Sequence, residues 1–93
     1  MSNNLSQNEI QKSLKSLNSN WKLVDNKIQR EFIFTNFVSA FNFIKKLADL
    51  SENSNHHPDI FNSYNKVIIS LTTHDLGGVS KKDFKLAMEI DNL

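Results

Sequence analysis

Lys66-Val67-Ile68-Ile69-Ser70-Leu71-Thr72-Thr73 is the stretch that decides the fold. It is rich in β-branched residues, which suit a pleated, half-buried backbone, so it predicts a strand. Side chains alternate faces along a strand. Val67, Ile69 and Leu71 therefore share one side, and Ile68, Ser70 and Thr72 the other, joined by His74 if regular geometry persists. Just upstream, residues 61–64 read as a shorter strand. Just downstream, Gly77-Gly78 breaks the chain. Ser80-Lys81-Lys82-Asp83 then has the form of a capping box, opening a helix with Phe84, Ala87 and Met88 on one face.

The first half of the chain reads as a helix, two strands and a second helix. Ser6-Gln7-Asn8-Glu9 is a capping box, followed by Ile10, Leu14 and Leu17 at helical spacing, with Asn18-Ser19-Asn20 ending the helix. Residues 21–24 form a short strand and Asp25-Asn26 a turn. In the next strand Ile28, Arg30, Phe32 and Phe34 alternate with Lys27, Gln29, Glu31 and Ile33. The two strands make a hairpin. Thr35 or Asn36 caps a second helix whose core face is Phe37, Phe41, Ile44 and Leu47-Ala48. Phe32, Phe34, Phe37 and Phe41 read as core residues. The order α-β-β-α-β-β-α predicts an α+β domain: a four-stranded antiparallel sheet with three helices packed on one face.

With 93 residues the chain fits one domain, residues 1–93. A core of this size is thin, and oligomerisation is a common way to bury more surface. The formal charge is +1 and Arg30 is the single arginine. That balance gives no case for a nucleic-acid or anionic-membrane partner. No apolar run approaches the roughly 20 residues of a membrane span. Met1-Ser2-Asn3-Asn4-Leu5 lacks the pattern of a signal peptide, so a cytoplasmic protein is expected. The sequence has no cysteine, which excludes disulfides, thiolate metal sites and Cys nucleophiles.

Chemistry has one natural place to sit. His56 and His57 adjoin Pro58, which biases His57 to an extended backbone, and His74 ends the strongest strand. Imidazole exchanges protons near neutral pH, and loops and strand ends let side chains converge. Glu52, Asp59, Asp75 and Asp83 flank the group. A carboxylate accepting one ring N–H fixes a tautomer and raises the basicity of the other nitrogen. Plainer readings stand beside this one: a solvated histidine pair, an Asp83 that only caps a helix, and a Gly-Gly that only turns the chain. A three-histidine metal site lacks the common i, i+4 helical spacing, and no metal is expected. A histidine-lined binding module without catalysis also fits the residues.

The run Asn55-His56-His57-Pro58-Asp59, then Tyr64-Asn65-Lys66-Val67, Leu71-Thr72-Thr73-His74-Asp75, Gly77-Gly78-Val79-Ser80 and Asp83 resembles the pterin-4a-carbinolamine dehydratases. Trp21, Arg30-Glu31-Phe32-Ile33-Phe34, Phe37, Ala40 and Phe43 extend the resemblance over nearly the whole chain. It implies a dimeric or tetrameric enzyme without cofactor. The reaction it implies is dehydration of 4a-hydroxytetrahydrobiopterin, recycling the tetrahydropterin of aromatic amino acid hydroxylases. It implies catalysis by His56, His57 and His74 with Glu52 and Asp83 in support. It implies pterin contacts from Asn55, His56, His57, Pro58, Thr72, Thr73, His74 and Asp75. Some animal relatives also partner a homeodomain transcription factor, which nothing in this sequence argues for specifically. One position departs: Ile60 stands where the family often has Trp.

Overall fold

The computed structural model describes residues 5–17 and 19–93, so the readings of Met1–Asn4 and of Asn18 lie outside the described residues. The elements are α1 (Gln7–Leu14), β1 (Lys22–Val24), β2 (Lys27–Ile33), α2 (Phe37–Ser54), β3 (Asp59–Ser63), β4 (Lys66–Leu71), a 3₁₀ turn (His74–Leu76) and α3 (Lys81–Asp91). All strand pairings are antiparallel, in the order β1-β2-β4-β3. The α+β order read from the sequence is the observed one.

Local chemistry sets the element ends. Both capping boxes form: Ser6 with Glu9 opens α1, and Ser80 with Asp83 opens α3. The Ser6 backbone N–H donates to the Glu9 carboxylate at 2.8 Å. That bond, with the Ser6 side chain, holds the Glu9 carboxyl below the usual carboxylate range. Asn36, not Thr35, caps α2, through a bond from the Ser39 N–H to its side-chain oxygen. Asp25 and Asn26 both have positive φ, the backbone that two-residue hairpin loops favour.

The sheet buries one face. Ile28, Val67, Ile69 and Leu71 are fully buried, and Ile28 pairs with Leu71 across the β2–β4 ladder. Arg30 shares this face opposite Ile69. Its guanidinium donates to Asp91 at 2.6 Å and lies 4.2 Å from the centroid of the Phe32 ring. Asp91 also accepts from the Trp21 indole N–H at 2.9 Å. One carboxylate at the end of α3 thus ties that helix to the first hairpin, across about 60 residues of sequence or more.

Several expectations need correction. The core face of α2 is Ala40, Leu47 and Ser51, with Phe43, Ile44 and Leu50 partly buried. Phe37 and Phe41 are 46% and 45% exposed, and Ala48 is exposed too. Small Ala40 and Ser51 allow close packing, and the Ser51 hydroxyl is satisfied by the Leu47 carbonyl at 2.8 Å. On α3, Met88 is exposed, while Leu86 and Ile90 are buried beside Phe84 and Ala87. The strand read over residues 66–73 ends at Leu71, so His74 opens the 3₁₀ turn instead of extending the sheet.

Tyr64 is not a strand residue. It takes the first position of the two-residue β3–β4 loop with φ of 51°, exposed to solvent. A left-handed backbone costs a non-glycine residue about 1–2 kcal/mol, and less for Asn. Tyr64→Asn is therefore expected to stabilise the fold by about 0.5–1 kcal/mol, read as a higher urea midpoint with an unchanged slope. A lower midpoint would mean that the tyrosine ring makes a compensating contact.

Candidate active site

The site begins with the way α2 stops. Asn55 is left-handed (φ 52°, ψ 38°), the Asn55 N–H donates to the Glu52 carbonyl, and the His56 N–H donates to the Ser51 carbonyl. This paired arrangement is a Schellman stop, with Asn where Gly is commoner. It reverses the chain within one residue and sets the two histidines on different partners. His56 reaches across to α3. His57 turns back on α2, with Nε2 2.5 Å from the Glu52 carboxylate.

His56 Nε2 lies 2.6 Å from Oδ1 of Asp83. The Asp83 side chain is wholly inaccessible to water, and that of His56 is 13% exposed. The other oxygen of Asp83 accepts from the Ser80 backbone N–H at 2.9 Å and from the Thr73 hydroxyl at 2.8 Å. Thr73 Oγ1 and Ser80 Oγ are 2.6 Å apart. Because Thr73 gives its proton to the carboxylate, Ser80 must supply the proton of that last bond. Two hydroxyls thus point in series at one buried carboxylate and, with the Ser80 N–H, fill lone pairs that water cannot reach. An ionised carboxylate only accepts, so the imidazole donates through Nε2–H and Nδ1 is left as the basic nitrogen. Asp83 thus caps α3 and bonds the His56 ring at once.

The third histidine joins them from the end of β4, because antiparallel pairing sets the start of β3 beside it, Asp59 opposite Ser70. After β4 the chain pinches: Thr73 and Gly78 pair, with the Thr73 N–H donating to the Gly78 carbonyl at 2.9 Å. Between them lie the 3₁₀ turn and Gly77, whose φ of 72° suits glycine. This turn exposes His74 and Asp75. Together Asn55, His56, His57, Thr72, Thr73, His74, Asp75 and Lys82 line a cavity of about 310 Å³.

Most residues singled out from sequence therefore meet on one cavity wall. Glu52 and Asp83 are not lining residues but bond His57 and His56, which are. Pro58 is half-buried and off the wall. The Thr72 hydroxyl donates to the Asn26 carbonyl, and that of Thr73 is engaged by Asp83, so their side chains serve the protein first. Lys82 and Ser80 were missed as site residues. Both sit inside the capping-box motif, whose helical role masked them. Among the described residues no group of three or more His, Cys, Asp or Glu is arranged to hold a metal ion. No helix among them is long and apolar enough to cross a membrane.

Comparison with known proteins places the fold and sequence in one family. The family profile described as pterin 4 alpha carbinolamine dehydratase matches residues 3–93. A protein of Picosynechococcus sp., provisionally named pterin-4-alpha-carbinolamine dehydratase, is 50% identical over the full length of both chains. A relative from Sulfurisphaera tokodaii carries the same provisional name, at 43% identity over 96% of this chain and 95% of its own. The crystal structure of a transcriptional coactivator/pterin dehydratase from Brucella melitensis superposes with a TM-score of 0.92 at 37% identity, covering 97% of each chain. A pterin dehydratase-like RuBisCO assembly factor of the alpha-carboxysome gives 0.64 at 25% identity, over 77% of this chain and 83% of its own. With matching element order, sheet and sequence over its length, the chain belongs to the pterin-4a-carbinolamine dehydratases, a family of hydro-lyases.

Proposed function

We propose that this protein removes water from 4a-hydroxytetrahydrobiopterin by histidine acid–base catalysis, giving quinonoid dihydropterin for reuse by aromatic amino acid hydroxylases. The observation that carries the reading is the His56–Asp83 pair: an imidazole held by a buried carboxylate, at a cavity that two further histidines share. In the reaction the C4a–O bond breaks as its hydroxyl is protonated. N5 loses a proton as the C4a=N5 bond forms, and water leaves. One acid and one base near neutrality suffice. His56 and His74 form that pair. His57, steadied by Glu52, orients the pterin beside Asn55, Thr72, Thr73 and Asp75. No metal or organic cofactor takes part. A cytoplasmic setting goes with this role, since the product must reach a reductase and then a hydroxylase.

Oligomerisation belongs to the same reading. β3 is an edge strand with Ile60 and Phe61 exposed, and α2 exposes Phe37, Val38 and Phe41. Unpaired edges and contiguous apolar residues of this kind favour association. We assign both surfaces to contacts between copies of the chain, as a dimer or tetramer. A protein partner of the kind implied by a coactivator relative would have to compete for the same residues.

Stopped-flow dehydration of a synthetic 4a-carbinolamine tests the chemistry. His56→Ala and His74→Ala are each expected to slow it by about 10²–10⁴-fold, read down to the spontaneous background, with the fold retained. His57→Ala is expected to raise KM more than it lowers kcat. Asp83→Asn retains an oxygen for the Ser80 N–H but sets an amide donor or the wrong tautomer against His56. Its rate is expected to fall by at least about 10²-fold, with a stability loss of about 1–3 kcal/mol. Wild-type rates in both His56→Ala and His74→Ala would leave only a binding module.

Chelation gives a separate check. Prolonged dialysis against EDTA is expected to leave the rate unchanged, and loss of activity restored by zinc would overturn the cofactor-free mechanism. For assembly, light scattering at micromolar concentration is expected to give at least twice the mass of one chain. Phe41→Lys or Phe61→Lys is expected to reduce that mass. A monomeric wild type would remove the assignment of both surfaces.

A further inference from the structure

The histidine cavity has a side chamber. Thr73, Asp75 and Lys82 are walls it shares with a second cavity of about 420 Å³, completed by Leu76, Ser80 and Lys81. Lys82 also borders His56 and Lys85 on its other side, in a cavity that includes Glu89. Lys82 therefore stands at the mouth of the reaction site and not on remote surface. Among the described residues neither Lys81 nor Lys82 has an ion-pair partner within 4 Å. Lys81 acts on Glu9 only through longer-range attraction. Ser80 and Asp83, which flank the two lysines in sequence, are engaged in the buried network below. The chamber is thus lined by two lysines that lack an ion-pair partner among the described residues and by one acidic residue, Asp75.

Substrate chemistry says what would enter it. In the pterin reading above, on which this inference rests, the reacting C4a–N5 edge must face the histidines. C6 is bonded directly to N5. Its substituent therefore leaves the ring one bond from the reacting nitrogen, beside the wall that opens into the chamber. We infer that the side chamber holds the C6 substituent and that Lys82 and Lys81 extend the range accepted beyond biopterin, binding most tightly pterins whose substituent ends in an anion, a phosphate or a carboxylate. A neutral, hydroxylated substituent would instead look to Asp75, the acceptor on the shared wall. The two lysines are solvent-exposed, so each contact is of surface strength and sensitive to salt.

Equilibrium binding of non-reacting 7,8-dihydropterins tests this on the intact protein. The probes are 6-hydroxymethyl-dihydropterin, its monophosphate, dihydrofolate and dihydrobiopterin. The two anionic probes are expected to bind about 3- to 20-fold more tightly than the hydroxymethyl compound in 20 mM salt, two exposed ion pairs at ordinary strength. The advantage is expected to shrink in 0.5 M NaCl and to fall towards unity in Lys81→Gln/Lys82→Gln, with Lys82→Arg retaining it. A gain for the phosphate alone would assign the site to phosphate, and a gain for dihydrofolate alone to carboxylate. The inference is overturned if neutral and anionic probes bind alike, if dihydrobiopterin binds tightest, or if the double variant keeps the anionic advantage. If no dihydropterin binds and the carbinolamine is not dehydrated faster, the pterin reading itself falls, and this one with it.

Discussion

The buried carboxylate of Asp83 is the constraint on which the site depends. Taking a charge out of water is costly unless its lone pairs are filled. Here they are filled by a backbone N–H from Ser80, a hydroxyl from Thr73 and a ring N–H from His56. Each donor comes from a different part of the chain: the start of α3, the end of the sheet and the loop after α2. None can move without leaving the carboxylate short of a partner. The elements that bring the histidines together are thus fixed by the same atom pair that sets the tautomer of one of them.

The three imidazoles are held unequally. His56 is mostly buried and backed by a carboxylate that water does not reach. His57 and Glu52 are both well exposed, with side chains 58% and 76% accessible, so their attraction is weakened by solvent. His74 sits exposed on a short turn. The three rings thus form a graded series, from His56 held on a buried carboxylate, through His57 on an exposed one, to His74 on a turn open to water.

Sequence legibility followed the range of the forces involved. Local signals read well: both capping boxes, the Asp25-Asn26 turn and the alternation of β4 are decided by neighbours a few residues away. The face of α2 read poorly. Its hydrophobic residues lie on more than one side, and hydropathy ranks Phe37 and Phe41 above Ala40 and Ser51, although small residues are what close packing on a sheet requires. On α3 the face read as Phe84, Ala87 and Met88 differs from the buried one, which takes Leu86 and Ile90 and leaves Met88 out; several sets of positions fit a helical spacing, and only tertiary contact chooses among them. Tyr64 was misread because a left-handed tyrosine contradicts local preference. At the site, the histidines and Asp83 were legible as a motif. Which histidine meets which carboxylate was not, since that depends on the left-handed stop at Asn55. Lys82 was hidden within a motif that already had an explanation.

The pinch between Thr73 and Gly78 has a wider consequence. A hydrogen-bonded neck separates the His74–Gly77 turn from the strand behind it, so the register of β4 does not depend on what the turn contains. The neck residue Thr73 belongs to the fixed Asp83 network, and the tip belongs to the cavity. Such a segment behaves as an exchangeable cassette. Exchanging tip residues other than His74, Asp75 foremost, would alter what the cavity accepts while the sheet and the His56–Asp83 pair stay as they are.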